Sequence, residues 1–130
     1  MSEEDYSYAE DEELVDQFID WTSEAVVEMR DITDALPEKV AVGSENAARL
    51  YDLAHNIKGM GSSFNFELMT LIGTSFCEYY KKLEGDLSRR VAHAHVRGFE
   101  VVLGNKITGK GGDKGDALLM RLRDIIVEEK

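Results

Sequence analysis

From Leu14 onward the apolar residues recur at steps of three and four: Leu14, Phe18, Trp21, Ala25, Met29, Ile32 and Leu36. That spacing keeps one face of a 3.6-residue period apolar and predicts a long amphipathic helix. Pro37, the only proline in the chain, stops it. Ser44, following Gly43, is placed to cap a second helix running to Phe64. Asn65 is placed to cap a third from Phe66 to Glu84, with the stripe Met69, Ile72, Phe76 and Leu83. Gly85 ends that helix, and Asp86 caps a fourth that reaches Lys106. A last helix, from Asp116 to Glu128, carries Leu119, Leu122, Ile125 and Ile126. Strand signals are weak, since Val40-Ala41-Val42 is too short and Val101-Val102-Leu103 sits inside a helical pattern. Short connections between helices predict an all-α fold: an antiparallel four-helix bundle over residues 14–130 with an additional C-terminal helix.

Composition narrows the class. A chain of 130 residues, 43% apolar and 32% charged, has the apolar content for one domain with a real core. The net charge of -11 argues against a nucleic acid or an anionic membrane as ligand, because both would be repelled. No apolar run approaches the roughly 20 residues of a bilayer span. Residues 1–13 hold seven acidic side chains and no basic one, which predicts a flexible solvated tail and is the reverse of a secretory signal. A cytoplasmic domain is therefore expected. The single cysteine, Cys77, excludes an internal disulfide framework. Thr108-Gly-Lys-Gly-Gly-Asp-Lys-Gly115 lacks the P-loop spacing and its closing Lys-Ser/Thr pair, so it reads as a flexible connector.

The second helix carries the chemistry. With about 100° per residue, Leu50, Leu53, Ile57, Met60, Gly61 and Phe64 gather on its core face. Asp52, His55, Lys58, Gly59 and Ser62 fall on the opposite side, within about 60° of His55. An outward histidine is a nucleophile near neutral pH, and its imidazole can attack an activated phosphoryl group. Lys58 can neutralise the incoming charge, and Ser62 can hydrogen-bond the phosphoryl oxygens or the ring. Each glycine inside a helix costs up to about 1 kcal/mol relative to alanine. Close helix packing accounts for core-facing Gly61 better than for outward-facing Gly59, whose bareness suits the approach of another molecule.

His55-Asn-Ile-Lys58-Gly59-Met-Gly61-Ser62-Ser63-Phe64-Asn-Phe66 resembles the signature of histidine-containing phosphotransfer (HPt) domains. The resemblance covers residues 47–84, including the apolar pattern through Phe76-Cys77-Glu78-Tyr79-Tyr80. It implies a phosphorelay carrier without catalytic activity of its own. Such a carrier takes a phosphoryl group from a kinase or a receiver aspartate and passes it to a response-regulator receiver. His55 would be the phosphoacceptor, Lys58 its charge partner and Gly59 the clearance for the receiver, with Phe64 and Phe66 anchoring the helix turn. No cofactor or metal of its own is implied, because Mg²⁺ would come with the receiver. The expected carrier is a monomer that binds receiver domains and a sensor or hybrid kinase. The docking surface would centre on His55, fringed by Met60, Phe66 and the start of the first helix.

One position departs from the pattern. Many HPt domains place a Gln or Glu on the third helix against the histidine ring; here Cys77 stands there, leaving ring orientation to Ser62, Thr74 or water. The alternative function is an HPt-like module that docks on receivers or kinases without transferring phosphate. An intact His55, Lys58 and Gly59 favours transfer. Other readings are weaker. Cys77 has no resolving partner and an acidic neighbour in Glu78, so a semi-buried structural thiol fits it better than a redox centre. His93 and His95 lie about 200° apart on a helix and cannot chelate one metal. A di-iron bundle wants two Glu-x-x-His pairs, against one Asp52-x-x-His55. Lys81, Lys82, Arg89, Arg90 and Arg97 read as solvated surface, and Tyr79 and Tyr80 as core or rim.

Overall fold

The computed structural model describes residues 11–130; the expected acidic tail lies outside them as far as residue 10. The first helix, α1, spans Glu12–Ala35. Asp11 caps it by accepting the Leu14 N–H at 3.1 Å, and Glu12 and Glu13 place negative charge where the helix dipole favours it. Asp11–Glu13 thus belong to the helix rather than to a tail. Its buried line is Phe18, Thr22, Ala25, Val26, Met29 and Thr33, turned slightly from the expected stripe, with Trp21 and Ile32 half-buried at the edge.

The second helix, α2, spans Glu45–Gly61, with the Ser44 side chain accepting the Ala47 N–H. It stops short of Phe64 because Ser62–Phe64 tighten into a 3₁₀ turn, closed by Asn65 in the left-handed conformation at φ 66°. Asn65 therefore terminates one helix rather than capping the next. Stacking of Phe18 on Phe64 at 4.6 Å, with Phe66 at 5.7 Å, fastens this turn to α1. The third helix, α3, spans Glu67–Lys81. The fourth, α4, spans Arg89–Asn105 and is capped by Ser88, not Asp86. The reason is a two-residue antiparallel pairing of Lys39–Val40 (β1) with Leu87–Ser88 (β2), which holds the chain extended until residue 88.

The fifth helix, α5, spans Gly112–Glu128, beginning inside the glycine-rich stretch. That stretch is not a free connector. The Gly109 N–H donates to the Asn65 carbonyl at 2.6 Å, and the Gly109 carbonyl accepts the Leu68 N–H at 2.9 Å. Gly111, at φ 78°, lies so close to Ile107 and Leu68 that an added Cβ would sit 3.0 Å from each. The loop is thereby clamped onto the α2–α3 turn.

Among the described residues the fold is five α-helices with one minimal β pairing. Helix α1 packs on α2 and α4, α3 packs on α2 and α4, and α5 packs on α3 and α4. Arg30 grips Glu100 with two bonds of 2.6 and 3.0 Å, joining α1 to α4. The Glu129 carboxylate accepts from Ser88 at 2.6 Å and from Lys39 and Arg90 at 3.4 Å, pinning the end of α5 to the β pairing. No described helix is long and apolar enough to cross a membrane.

His93 is exposed and His95 buried, as their angular separation on α4 requires. His95 is fully satisfied: its Nδ1 bonds the Val91 carbonyl and its Nε2 the Ser75 hydroxyl, both at 2.8 Å, with Phe76 edge-on. Burial lowers its pKa from 6.5 to about 4, opposed in part by the bond to Val91. Between those values the unfolded chain takes up a proton that the folded one refuses, so stability falls as pH drops through this window. About 2 kcal/mol should be lost between pH 7.5 and pH 5 by this route. Urea unfolding at the two pH values should show that loss in the native chain and not in His95→Leu; an equal loss in both would contradict the assignment.

Candidate functional site

The site is built on the contact between α2 and α3, where two glycines let the backbones close. An added Cβ at Gly73 would sit 2.9 Å from Lys58 Cβ and 3.0 Å from the Ala54 carbonyl oxygen. One at Gly61 would sit 2.6 Å from Thr70 Oγ1 and 2.7 Å from the Phe66 carbonyl oxygen. At each glycine the nearest of these distances is shorter than real side chains tolerate. Thr70 ties the same seam, donating its hydroxyl to the Lys58 carbonyl at 2.9 Å and accepting the Ser62 N–H at 3.0 Å. The first of those bonds satisfies a carbonyl that the end of α2 would otherwise leave unpaired.

This contact fixes which way α2 faces. Leu50, Leu53, Ala54, Ile57 and Gly61 are buried against the core, and Asp52, His55 and Gly59 are exposed on the other side. Lys58 lies half-buried between the two faces, its stem against Gly73. Among the described residues no carboxylate pairs with its ammonium group, although the chain holds 26 acidic side chains. A cation left unpaired beside an exposed imidazole can meet an incoming anion. Gly59 is bare surface: an added Cβ there would meet nothing within 4 Å. Packing explains Gly61 and does not explain Gly59.

The other expected participants are placed as follows. Ser62 is exposed and opens the 3₁₀ turn, so it stands at the end of α2 rather than on its regular helical stripe. Thr74 spends its hydroxyl on the Thr70 carbonyl at 2.8 Å. Cys77 is buried, and burial pushes its thiol above the ordinary range, against the pull of Lys58 and Lys81. That is the environment of an inert packing thiol. Met60 is half-buried and Phe66 is almost wholly buried, so Phe66 supports the turn and adds little to any exposed fringe. Among the basic residues, Lys81 and Lys82 are exposed, whereas Arg89 donates to the Thr33 carbonyl and Arg90 pairs with Glu128 and Glu129. Tyr79 accepts the Ser88 N–H and Tyr80 donates to the Val42 carbonyl, both at the rim. No group of three or more metal-ligating side chains occurs among the described residues.

Three contributors lie outside the residues that the sequence analysis singles out, two on α3 and one on α2. Gly73 and Thr70 stand on α3, where a glycine in mid-helix was the available signal. Tyr51, one turn before His55, lies ring against ring with it at 5.9 Å. No protein-family model, curated protein or solved structure matches this chain.

The two exposed and buried glycines give opposite expectations. Gly73→Val should cost at least about 2 kcal/mol, because the helices must part. Gly59→Ala should gain up to about 1 kcal/mol from helix propensity with no clash. Urea unfolding of both variants checks the pair, and a stability loss in Gly59→Ala or none in Gly73→Val would contradict the geometry described.

Proposed function

We propose that this chain is a cytoplasmic histidine phosphotransfer protein, an HPt-type antiparallel four-helix bundle of α1–α4 extended by α5. The observation that carries the reading is the exposed His55 flanked by Lys58, unpaired among the described residues, and by the unfilled surface of Gly59. The succession of contacts joining α1 to α2, α2 to α3, α3 to α4 and α4 to α1 supports the bundle.

In the transfer, an imidazole nitrogen lone pair of His55 attacks the phosphorus of a receiver's aspartyl phosphate. The N–P bond forms as the P–O bond to the aspartate breaks, the carboxylate leaves, and the ring's remaining proton can pass to solvent. Charge gathers on the phosphoryl oxygens, where Lys58 stabilises it and the receiver contributes its Mg²⁺. The bare strip at Gly59 lets the receiver surface close on the helix, bringing the reacting atoms to the roughly 3–3.5 Å that in-line transfer needs. Passing the group on to a second receiver aspartate reverses the same bonds.

His55→Gln should fold as the native chain does and take no label from a phosphorylated receiver. The native label should be lost in acid and survive base, as a P–N bond is. Full labelling of His55→Gln would move the acceptor elsewhere. A bulky side chain in Gly59→Trp should weaken receiver binding at least tenfold while leaving the unfolding midpoint near that of the native chain. Unchanged affinity in that variant would remove the clearance role. Binding of a receiver with no transfer in either direction would favour the docking module over the carrier.

A further inference from the structure

We propose that Tyr51 is the positioning residue for His55, a flat wall that fixes the plane of the imidazole in place of a hydrogen bond. The inference rests on the reading of His55 as the phosphoryl acceptor. Tyr51 precedes His55 by four residues on α2, so the two side chains are surface neighbours. Their ring centroids are 5.9 Å apart with planes within 16°, an offset stack. Tyr51 is itself backed by Tyr80, with centroids 4.8 Å apart. Tyr80 is held by its hydroxyl bond of 2.6 Å to the Val42 carbonyl and lies beside buried Phe76 at 6.4 Å. The row thus runs from the core, through two tyrosines, to the exposed imidazole.

Hydrogen bonding does not orient the ring: none reaches either nitrogen of His55 among the described residues. Cys77 is buried, and the Thr74 hydroxyl is engaged within its own helix. Without the wall an exposed imidazole samples its χ1 and χ2 wells freely, and most of those orientations miss the line of attack on phosphorus. Stacking restricts the ring while leaving both nitrogens unengaged among the described residues, on a residue that is itself exposed. The interaction needs the aromatic face and not the phenol hydroxyl, so phenylalanine should replace tyrosine without loss.

The test uses the full chain with phosphoramidate, a small donor that removes receiver docking from the comparison. In the native chain and Tyr51→Phe, the His55 Hδ2 and Hε1 resonances should be displaced from free-imidazole positions by the neighbouring ring current. In Tyr51→Ala that displacement should collapse, and the labelling rate should fall about fivefold or more, with Tyr51→Phe within about twofold of native. If Tyr51→Ala does not fold, Tyr51→Leu keeps most of the volume, removes the ring and gives the same comparison. Native-like labelling in the ring-less variant, or undisplaced resonances in the native chain, would overturn the positioning role alone. A native chain that takes no label from phosphoramidate or from a phosphorylated receiver would instead overturn the acceptor reading on which it rests.

Discussion

At Gly73 the backbone of α3 comes so near α2 that a methyl group would press into Lys58 and Ala54, and at Gly61 the intrusion is returned from the other side. This seam sets the rotation of α2 about its own axis. Turn the helix by one residue, about 100°, and His55 would leave the solvent face while Ile57 would leave the core. The Thr70 hydroxyl, shared between the Lys58 carbonyl and the Ser62 N–H, holds the seam at the place where α2 ends. His55 is therefore turned to solvent by a packing contact on the flank of its own helix, at Ala54, Lys58 and Gly61.

Electrostatics then acts on a surface that packing has already placed. The chain carries a net charge of -11, and several of its basic residues near helix ends are engaged with carboxylates or carbonyls of neighbouring elements. Glu28, Glu100 and Glu129 are all held below the usual carboxylate range, in each case first by a hydrogen bond to the partner side chain. Among the described residues Lys58 is not engaged in this way, which leaves its ammonium group available to an anion. His95 offers the contrast within the same residue type: both ring nitrogens are occupied and burial keeps it neutral, whereas His55 is exposed.

Helical periodicity carried the fold because each helix buries one stripe, and caps with a side-chain oxygen, Asp11 and Ser44, behave as local chemistry dictates. The boundaries that slipped are those decided by contacts distant in sequence. Asp86 loses the cap to Ser88 because β2 pairs with β1, and the glycine-rich stretch becomes an ordered clamp because Asn65 and Leu68 bond to Gly109. The outward stripe of α2 was legible in the spacing of Asp52, His55 and Gly59. The part contributed by α3 was not, since a glycine at 73 reveals its purpose only once Lys58 lies against it. Tyr51 was within reach of the i, i+4 rule, but its backing by Tyr80 and Val42 joins α2 to α3 and to the turn that precedes α2.

The most direct test of the acceptor is ³¹P and ¹⁵N NMR on chain labelled with ¹⁵N-histidine and treated with a phosphorylated receiver. One P–N resonance should appear, its coupling running to a ring nitrogen of His55, with His93 and His95 unchanged. A phosphorus signal coupled to another histidine, or phosphate carried only on oxygen, would contradict it.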